Sequence, residues 1–145
     1  MYICTGADDE FATAFENCQV PNDAFHHREH LRLAWIYLRR FGSEAGLQIR
    51  VAILRFAAAH GKADKYHETI TFAWLRLVAD GAERSNARSF AELLRASPEL
   101  LDKNTLHQHY SPELLGSDAA RTRFVPPDRK PLPAGTSVSA VRSTP

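Results

Sequence analysis

Three successive stretches of helical periodicity, each followed by a glycine, constrain the fold of this chain more than any other feature. Apolar residues recur with the helical period over residues 25–41, 47–60 and 66–79. Gly42, Gly61 and Gly81 follow these stretches, where a glycine commonly ends a helix. No segment shows the alternation of a β-strand. The sequence therefore predicts an all-α fold, a compact helical bundle with short loops and central antiparallel helices.

Shorter helices are predicted on both sides of this centre. Acidic residues from Asp8 onward, followed by spaced apolar residues, predict a short first helix. Four later serines precede short helical segments as N-caps: Ser89, Ser97, Ser111 and Ser117. Four prolines between residues 126 and 133 indicate a Pro-rich C-terminal extension. We expect a single helical domain over residues 1–133 and a disordered tail over residues 134–145.

The composition excludes several classes of protein. Lys and Arg number 18 against 17 Asp and Glu, so the net charge is +1, too small for a nucleic-acid or membrane-surface binder. The two cysteines cannot build a disulfide framework. The first residues do not have the pattern of a signal peptide, and no apolar run is long enough to span a membrane. We expect a soluble, cytoplasmic protein whose partner is a small-molecule substrate or ligand; the oligomeric state stays open.

Charge is distributed unevenly along the chain. Residues 1–23 have a net charge of −5, whereas residues 24–65 have a net charge of +5. The acidic first segment is expected to pack beside the basic second and third helices, although a solvated charged face fits the pattern equally well. A third hypothesis is that this acidic helix binds a partner protein.

The placement of the histidines is the strongest indication of a site. The chain has seven histidines, and on a helical wheel His27 and His30 begin the apolar face of the second helix. His67 begins the apolar face of the fourth helix in the same way. Short loops make successive helices antiparallel, so the second and fourth helices are parallel. The three histidines are therefore expected to meet at one end of the bundle, with His60 near the same level.

Three imidazoles on rigid helices are a ligand set for a divalent metal ion with one open position. Zn or Fe is the most suitable ion, and Ni, Cu and Mn also accept such ligands. Glu68 is a candidate general base or a hydrogen-bond acceptor that orients a metal-bound imidazole, and Tyr66 and Thr71 are candidate polar residues of the pocket. The sequence thus predicts a metal-dependent enzyme acting on a small molecule, by hydrolysis or oxygen chemistry. The alternative is a metal-free binding or regulatory module with a histidine-lined pocket.

Other polar residues have weaker claims to the site. His26 lies off the apolar face, and His107 and His109 are expected at the surface, with at most one of them joining the site. Whether Tyr110 or Arg121 reaches the site stays open. Trp35 and Trp74 are expected in the core.

Three stretches carry a resemblance to other proteins. They are Phe25-x-His27-x-x-His30-Leu31-x-x-Ala34-Trp35, then Tyr66-His67-Glu68-Thr69-Ile70-Thr71, then Tyr110-Ser111 followed by Phe124-Val125-x-Pro127-Asp128 and Pro131-Leu132-Pro133. Together they resemble a group of small, uncharacterised bacterial all-helical proteins of about this length. The resemblance implies a stand-alone protein and no particular activity. The arrangement also resembles three-histidine metal bundles of the DinB kind, whose ligand spacing differs.

Overall fold

The computed structural model of the protein describes residues 6–133, and these form a compact all-α fold with no strand among them. In chain order the helices are α1 (Gly6–Glu16), α2 (His27–Phe41), α3 (Ala45–Ala59), α4 (Glu68–Ser85), α5 (Phe90–Ala96), α6 (Pro112–Leu115) and α7 (Asp118–Thr122). Short 3₁₀ turns connect them over Asn22–Ala24, Gly42–Glu44, Ala63–Lys65, Pro98–Leu101 and Lys103–Gln108. The predicted tail over residues 134–145 lies outside the described residues.

Helices α2 and α4 form the centre of the bundle and pack against each other. Trp35 is fully buried on α2, and Leu75 and Val78 are fully buried on α4. The sequence has apolar residues on two sides of α3, but only one side is buried. Leu47 and Val51 on its other side are 47% and 53% exposed. Helix α3 is therefore peripheral, because α2 and α4 already contact each other along the core.

Gly81 does not end a helix, and the boundary predicted there is wrong. Helix α4 continues to Ser85, and Asn86 ends it in the left-handed conformation with φ 54°. A Cβ atom at position 81 would lie 3.3 Å from atoms of both Leu93 and Ser97. The glycine is thus needed for the close approach of the α5 segment, not for a helix cap.

The acidic first helix packs on the basic second helix, as the charge distribution indicates. Asp8 accepts a hydrogen bond from Arg32 at 3.0 Å, and Asp9 accepts one from Arg40 at 2.9 Å. Phe15 of α1 is fully buried against the rings of Phe25 and Phe56. Helix α1 is therefore part of the core, and binding of a partner protein by its exposed face stays a prediction from the sequence.

The segment after α7 is held on the bundle by hydrogen bonds between side chains and backbone. Thr69 Oγ1 donates to the Arg123 carbonyl at 2.8 Å and accepts from the Val125 amide at 3.1 Å. The Tyr110 hydroxyl donates to the Val125 carbonyl at 2.7 Å. Among residues 6–133, no helix is long and apolar enough to cross a membrane.

Candidate functional site

The N-terminal parts of α2 and α4 border a cavity of about 630 Å³, which we call the histidine cavity. Four histidines line it: His26, His27, His30 and His107. Its apolar wall includes Phe25, Ile70, Trp74, Leu106 and Leu115, and Lys103 and Asn104 are exposed, as is His26. A volume of this size is typical of small-molecule sites.

A second cavity, of about 330 Å³, adjoins the first, and we call it the neighbouring cavity. Phe25, His30 and Ile70 line both cavities and therefore form the wall between them. The polar residues of the neighbouring cavity are Asn22, Lys62, Lys65, Tyr66, His67 and Thr71. The end of the bundle where the sequence predicts a site thus contains two adjoining cavities.

His30 lies in the wall between the cavities and has an unsatisfied hydrogen-bonding group. Its Nε2 atom is buried and has no hydrogen-bond partner among residues 6–133. Burial, with a smaller contribution from the nearby His27, lowers the pKa of His30 to about 4. The ring is therefore neutral at pH 7.

His27 is fixed by a backbone carbonyl and by an aromatic ring. Its Nε2–H donates to the Leu100 carbonyl at 2.8 Å, and its ring meets that of Trp74 edge-on with the centroids 4.5 Å apart. The pKa of His27 is lowered mainly by burial, and Lys103 lowers it further. His27 is thus a neutral, oriented part of the cavity wall.

His26 caps α2 instead of lying on one of its faces. Its side chain accepts from the backbone amide of Glu29, while the Glu29 carboxylate accepts from the His26 amide at 3.0 Å. This reciprocal pair is a capping box, with a histidine in the place usually taken by Ser or Thr. The cap holds the His26 ring at the edge of the histidine cavity.

His67 has both ring nitrogens engaged by the protein. Nδ1 accepts from the Ile70 amide at 3.1 Å, so Nε2 carries the proton and donates to the Leu115 carbonyl at 2.7 Å. His67 is the N-cap of α4, because the helix begins at Glu68. It lines the neighbouring cavity and not the histidine cavity. A metal ion could bind His67 only by breaking one of these hydrogen bonds.

The three predicted ligands therefore lie near the same end of the bundle. They differ in whether their ring nitrogens already form hydrogen bonds within the protein. Among residues 6–133, no group of three or more His, Cys, Asp or Glu side chains is placed to hold a metal ion. Metal binding by His27, His30 and His67 stays a prediction from the sequence, without support from this geometry.

Glu68, the predicted base, belongs to a separate polar group that we call the glutamate network. Its carboxylate accepts from the Arg50 guanidinium, with Nε at 3.1 and 3.2 Å from the two oxygens, and from the Tyr66 hydroxyl at 2.6 Å. Glu68 is 8% exposed and lines neither cavity. Burial and the nearby Glu68 raise the pKa of Tyr66, which is thus a donor in this network. The Thr71 hydroxyl donates to the His67 carbonyl at 2.8 Å and lines the neighbouring cavity.

The remaining candidates are placed outside the histidine cavity, with one exception. His107 is half-buried and lines it, whereas His109 is buried and contacts the Lys130 carbonyl through Nδ1 at 2.9 Å. The expectation of two surface histidines is wrong, because the C-terminal segment covers this turn. Tyr110 is fully buried, Arg121 contacts Asp118, and neither lines the histidine cavity or the neighbouring cavity.

His60 also lies near this end of the bundle but lines neither cavity. Its ring centroid is 4.5 Å from that of Phe56, which does line the neighbouring cavity. Its Nε2 atom is buried and has no hydrogen-bond partner in the described part of the chain. His60 therefore supports the cavity wall from behind.

Sequence reasoning missed Lys103 and Asn104, gave His26 no role and left open whether His107 reaches the site. Lys103, Asn104 and His107 lie in a 3₁₀ turn, whose residues do not follow the period used to find amphipathic helices. The only local signal is Asp102, whose carboxylate accepts from the Asn104 amide at 2.9 Å and marks the start of the turn.

No family model, curated protein or solved structure matches the chain.

Proposed function

We propose that the protein binds a small organic molecule in the histidine cavity, through uncharged imidazoles and apolar rings and without a metal ion. The observation that carries this proposal is the buried Nε2 of His30, which has no partner among the described residues and lies beside a cavity of about 630 Å³. A buried group without a partner costs about 1–3 kcal/mol of stability. A ligand that bonds to it recovers part of that cost.

Two further observations favour binding over the metal chemistry predicted from the sequence. The only carboxylate among the predicted site residues, Glu68, is held by Arg50 and Tyr66. Both nitrogens of His67 are engaged by backbone groups. The metal-dependent enzyme would need these contacts to rearrange, whereas a metal-free ligand would not.

The test uses N-phenyl-1-naphthylamine, an uncharged dye whose fluorescence rises in apolar sites. We expect saturable binding of one dye per chain. Ile70→Phe adds a ring to the wall shared by both cavities and is expected to weaken binding about tenfold. Leu47→Phe is the matched control, because it makes the same change in atoms on the exposed face of α3.

Circular dichroism and thermal unfolding establish that both variants are folded. Dye binding that is absent, or that is unchanged in folded Ile70→Phe, would overturn the proposal.

A second measurement decides between this proposal and the metal-dependent enzyme. Protein purified without an affinity tag is analysed for bound metal and titrated with Zn²⁺ and Fe²⁺ by calorimetry. We expect no stoichiometric metal and no effect of a chelator on the unfolding temperature. Stoichiometric metal that is lost in His67→Ala would replace our proposal with the metal-dependent enzyme.

A further inference from the structure

We infer that the ligand of the histidine cavity is an organic anion with a flat apolar body, and that Lys103 binds its charged group. This inference rests on the proposed function and adds the chemical class of the ligand. Three features of the cavity carry it: the charges of its lining residues, the rings in its wall, and the free nitrogen of His30.

The charged residues that line the two cavities are all positive. Lys62, Lys65 and Lys103, three of the four lysines in the chain, line the cavities. No Asp or Glu within residues 6–133 lines either cavity. Because the whole chain is nearly neutral, with a net charge of +1, this bias is a local property of the site. A local positive potential favours an anionic ligand.

Lys103 is the lysine of the histidine cavity, and its charge is free for a ligand. It forms no ion pair within the described part of the chain. The nearest acidic residue in sequence, Asp102, uses its carboxylate to cap the turn through the Asn104 amide.

The aromatic rings in the cavity wall indicate the shape of the apolar part of the ligand. Phe25 and Trp74 line the cavity together with Ile70, and the Trp74 ring is held by the edge of His27. Rings that are fixed in this way suit a flat apolar group, which can pack against them at little cost in entropy. His30 lines the same cavity, and its buried Nε2 atom has no hydrogen-bond partner among the described residues.

Three naphthalene compounds of the same shape test the charge of the ligand: 2-naphthoate, 2-naphthamide and 2-(aminomethyl)naphthalene. Binding to the full chain is measured by calorimetry and by quenching of the Trp74 fluorescence. The variant Trp74→Phe, which keeps Trp35, removes that signal and serves as the control for it. We expect 2-naphthoate to bind about fivefold more tightly than the amide, and the amine to bind most weakly.

The charge variant is Lys103→Gln, and Lys130→Gln is its matched control, because Lys130 is the one lysine that lines neither cavity. Lys103→Gln is expected to weaken 2-naphthoate about fivefold and to leave 2-naphthamide unchanged. Lys130→Gln is expected to change neither affinity. Lysine side chains at these exposed positions can be replaced without unfolding the protein.

The possible failures separate the two proposals. Equal binding of 2-naphthoate and 2-naphthamide, both lost in Ile70→Phe, would overturn the anionic ligand and leave the binding cavity standing. Unchanged binding of 2-naphthoate to Lys103→Gln would also overturn the anionic assignment. Binding of all three compounds that survives in folded Ile70→Phe would overturn both proposals.

Discussion

Two groups of polar side chains meet the beginning of α4, and they differ in how completely their hydrogen bonds are satisfied. In the glutamate network, Glu68 accepts from Arg50 and Tyr66 and has a partner for each of its oxygens. In the histidine cavity, the buried Nε2 of His30 has no partner among the described residues. Both groups lie close to the same helix end.

The difference separates a structural polar cluster from a binding one. A buried network whose members all bond to one another joins its helices and leaves nothing for a ligand. A buried nitrogen beside empty space costs stability, and a partner from outside recovers part of it. The Glu68 carboxylate, the base predicted from the sequence, therefore lies in the group whose hydrogen bonds are already satisfied.

The largest expected change in the free energy of unfolding comes from a substitution in the glutamate network. Glu68→Ala leaves the partly buried Arg50 without its carboxylate and Tyr66 without its acceptor. We expect the free energy of unfolding, measured with urea, to fall by about 3 kcal/mol. Glu10→Ala, at an exposed position of α1, is the matched control and is expected to have little effect. Dye binding by the folded Glu68→Ala variant is expected to be unchanged; its loss without a loss of stability would give Glu68 the site role predicted from the sequence.

The histidine cavity is expected to make stability depend on pH. The pKa of His30 is lowered from 6.5 to about 4, so the unfolded state takes up a proton at a pH where the folded state does not. Stability is therefore full above pH 6.5 and is lost as the pH falls towards 4. Between pH 7 and pH 5 we expect a loss of about 2 kcal/mol from His30.

The comparison of the protein with His30→Leu over the same pH range isolates this effect, because other titrating groups contribute to both. His27 acts in the same direction as His30 and stays in the variant. A pH dependence that is identical in the two proteins would show that His30 is not held neutral by the fold.

The smallest expected effect concerns Thr69, a satisfied group beside the glutamate network. Thr69→Val removes the hydroxyl that bonds to the Arg123 carbonyl and the Val125 amide. We expect a loss of about 1 kcal/mol in the free energy of unfolding, with unchanged dye affinity. Thr122→Val removes a hydroxyl that bonds only within α7, to the Asp118 carbonyl, and is expected to cost less. An effect of Thr122→Val that equals that of Thr69→Val would contradict the anchoring role of Thr69.

The helices and the meeting of α2 and α4 could be predicted, because both depend on local periodicity and short loops. The caps at Ser89, Ser111 and Ser117 were also visible, since each serine accepts from a backbone amide of the helix it begins. Ser97 also precedes a helical segment, but that segment is a 3₁₀ turn. The Ser97 side chain forms no capping hydrogen bond with it, so the cap predicted there is wrong.

The hydrogen-bond partners of the polar residues could not be predicted, because these partners are distant in sequence. Glu68 is bound by Arg50 of α3, 18 residues earlier, and no local pattern connects the two. His67 lies one residue before α4, so a helical wheel misjudges the direction of its ring. The turn with Lys103 and His107 lacks the helical period, and only the packed chain brings it beside α2.

The histidine cavity is built from parts of the chain that are synthesised far apart in time. Phe25 and His30 are made early, Ile70 and Trp74 in the middle, and the last residue of its wall, Gly116, only near the end. The bonds of Tyr110 and Thr69 to the segment after α7 come later still. While the chain is being synthesised, the cavity therefore lacks part of its wall, and the chain becomes able to hold a ligand only in the last stage of its synthesis.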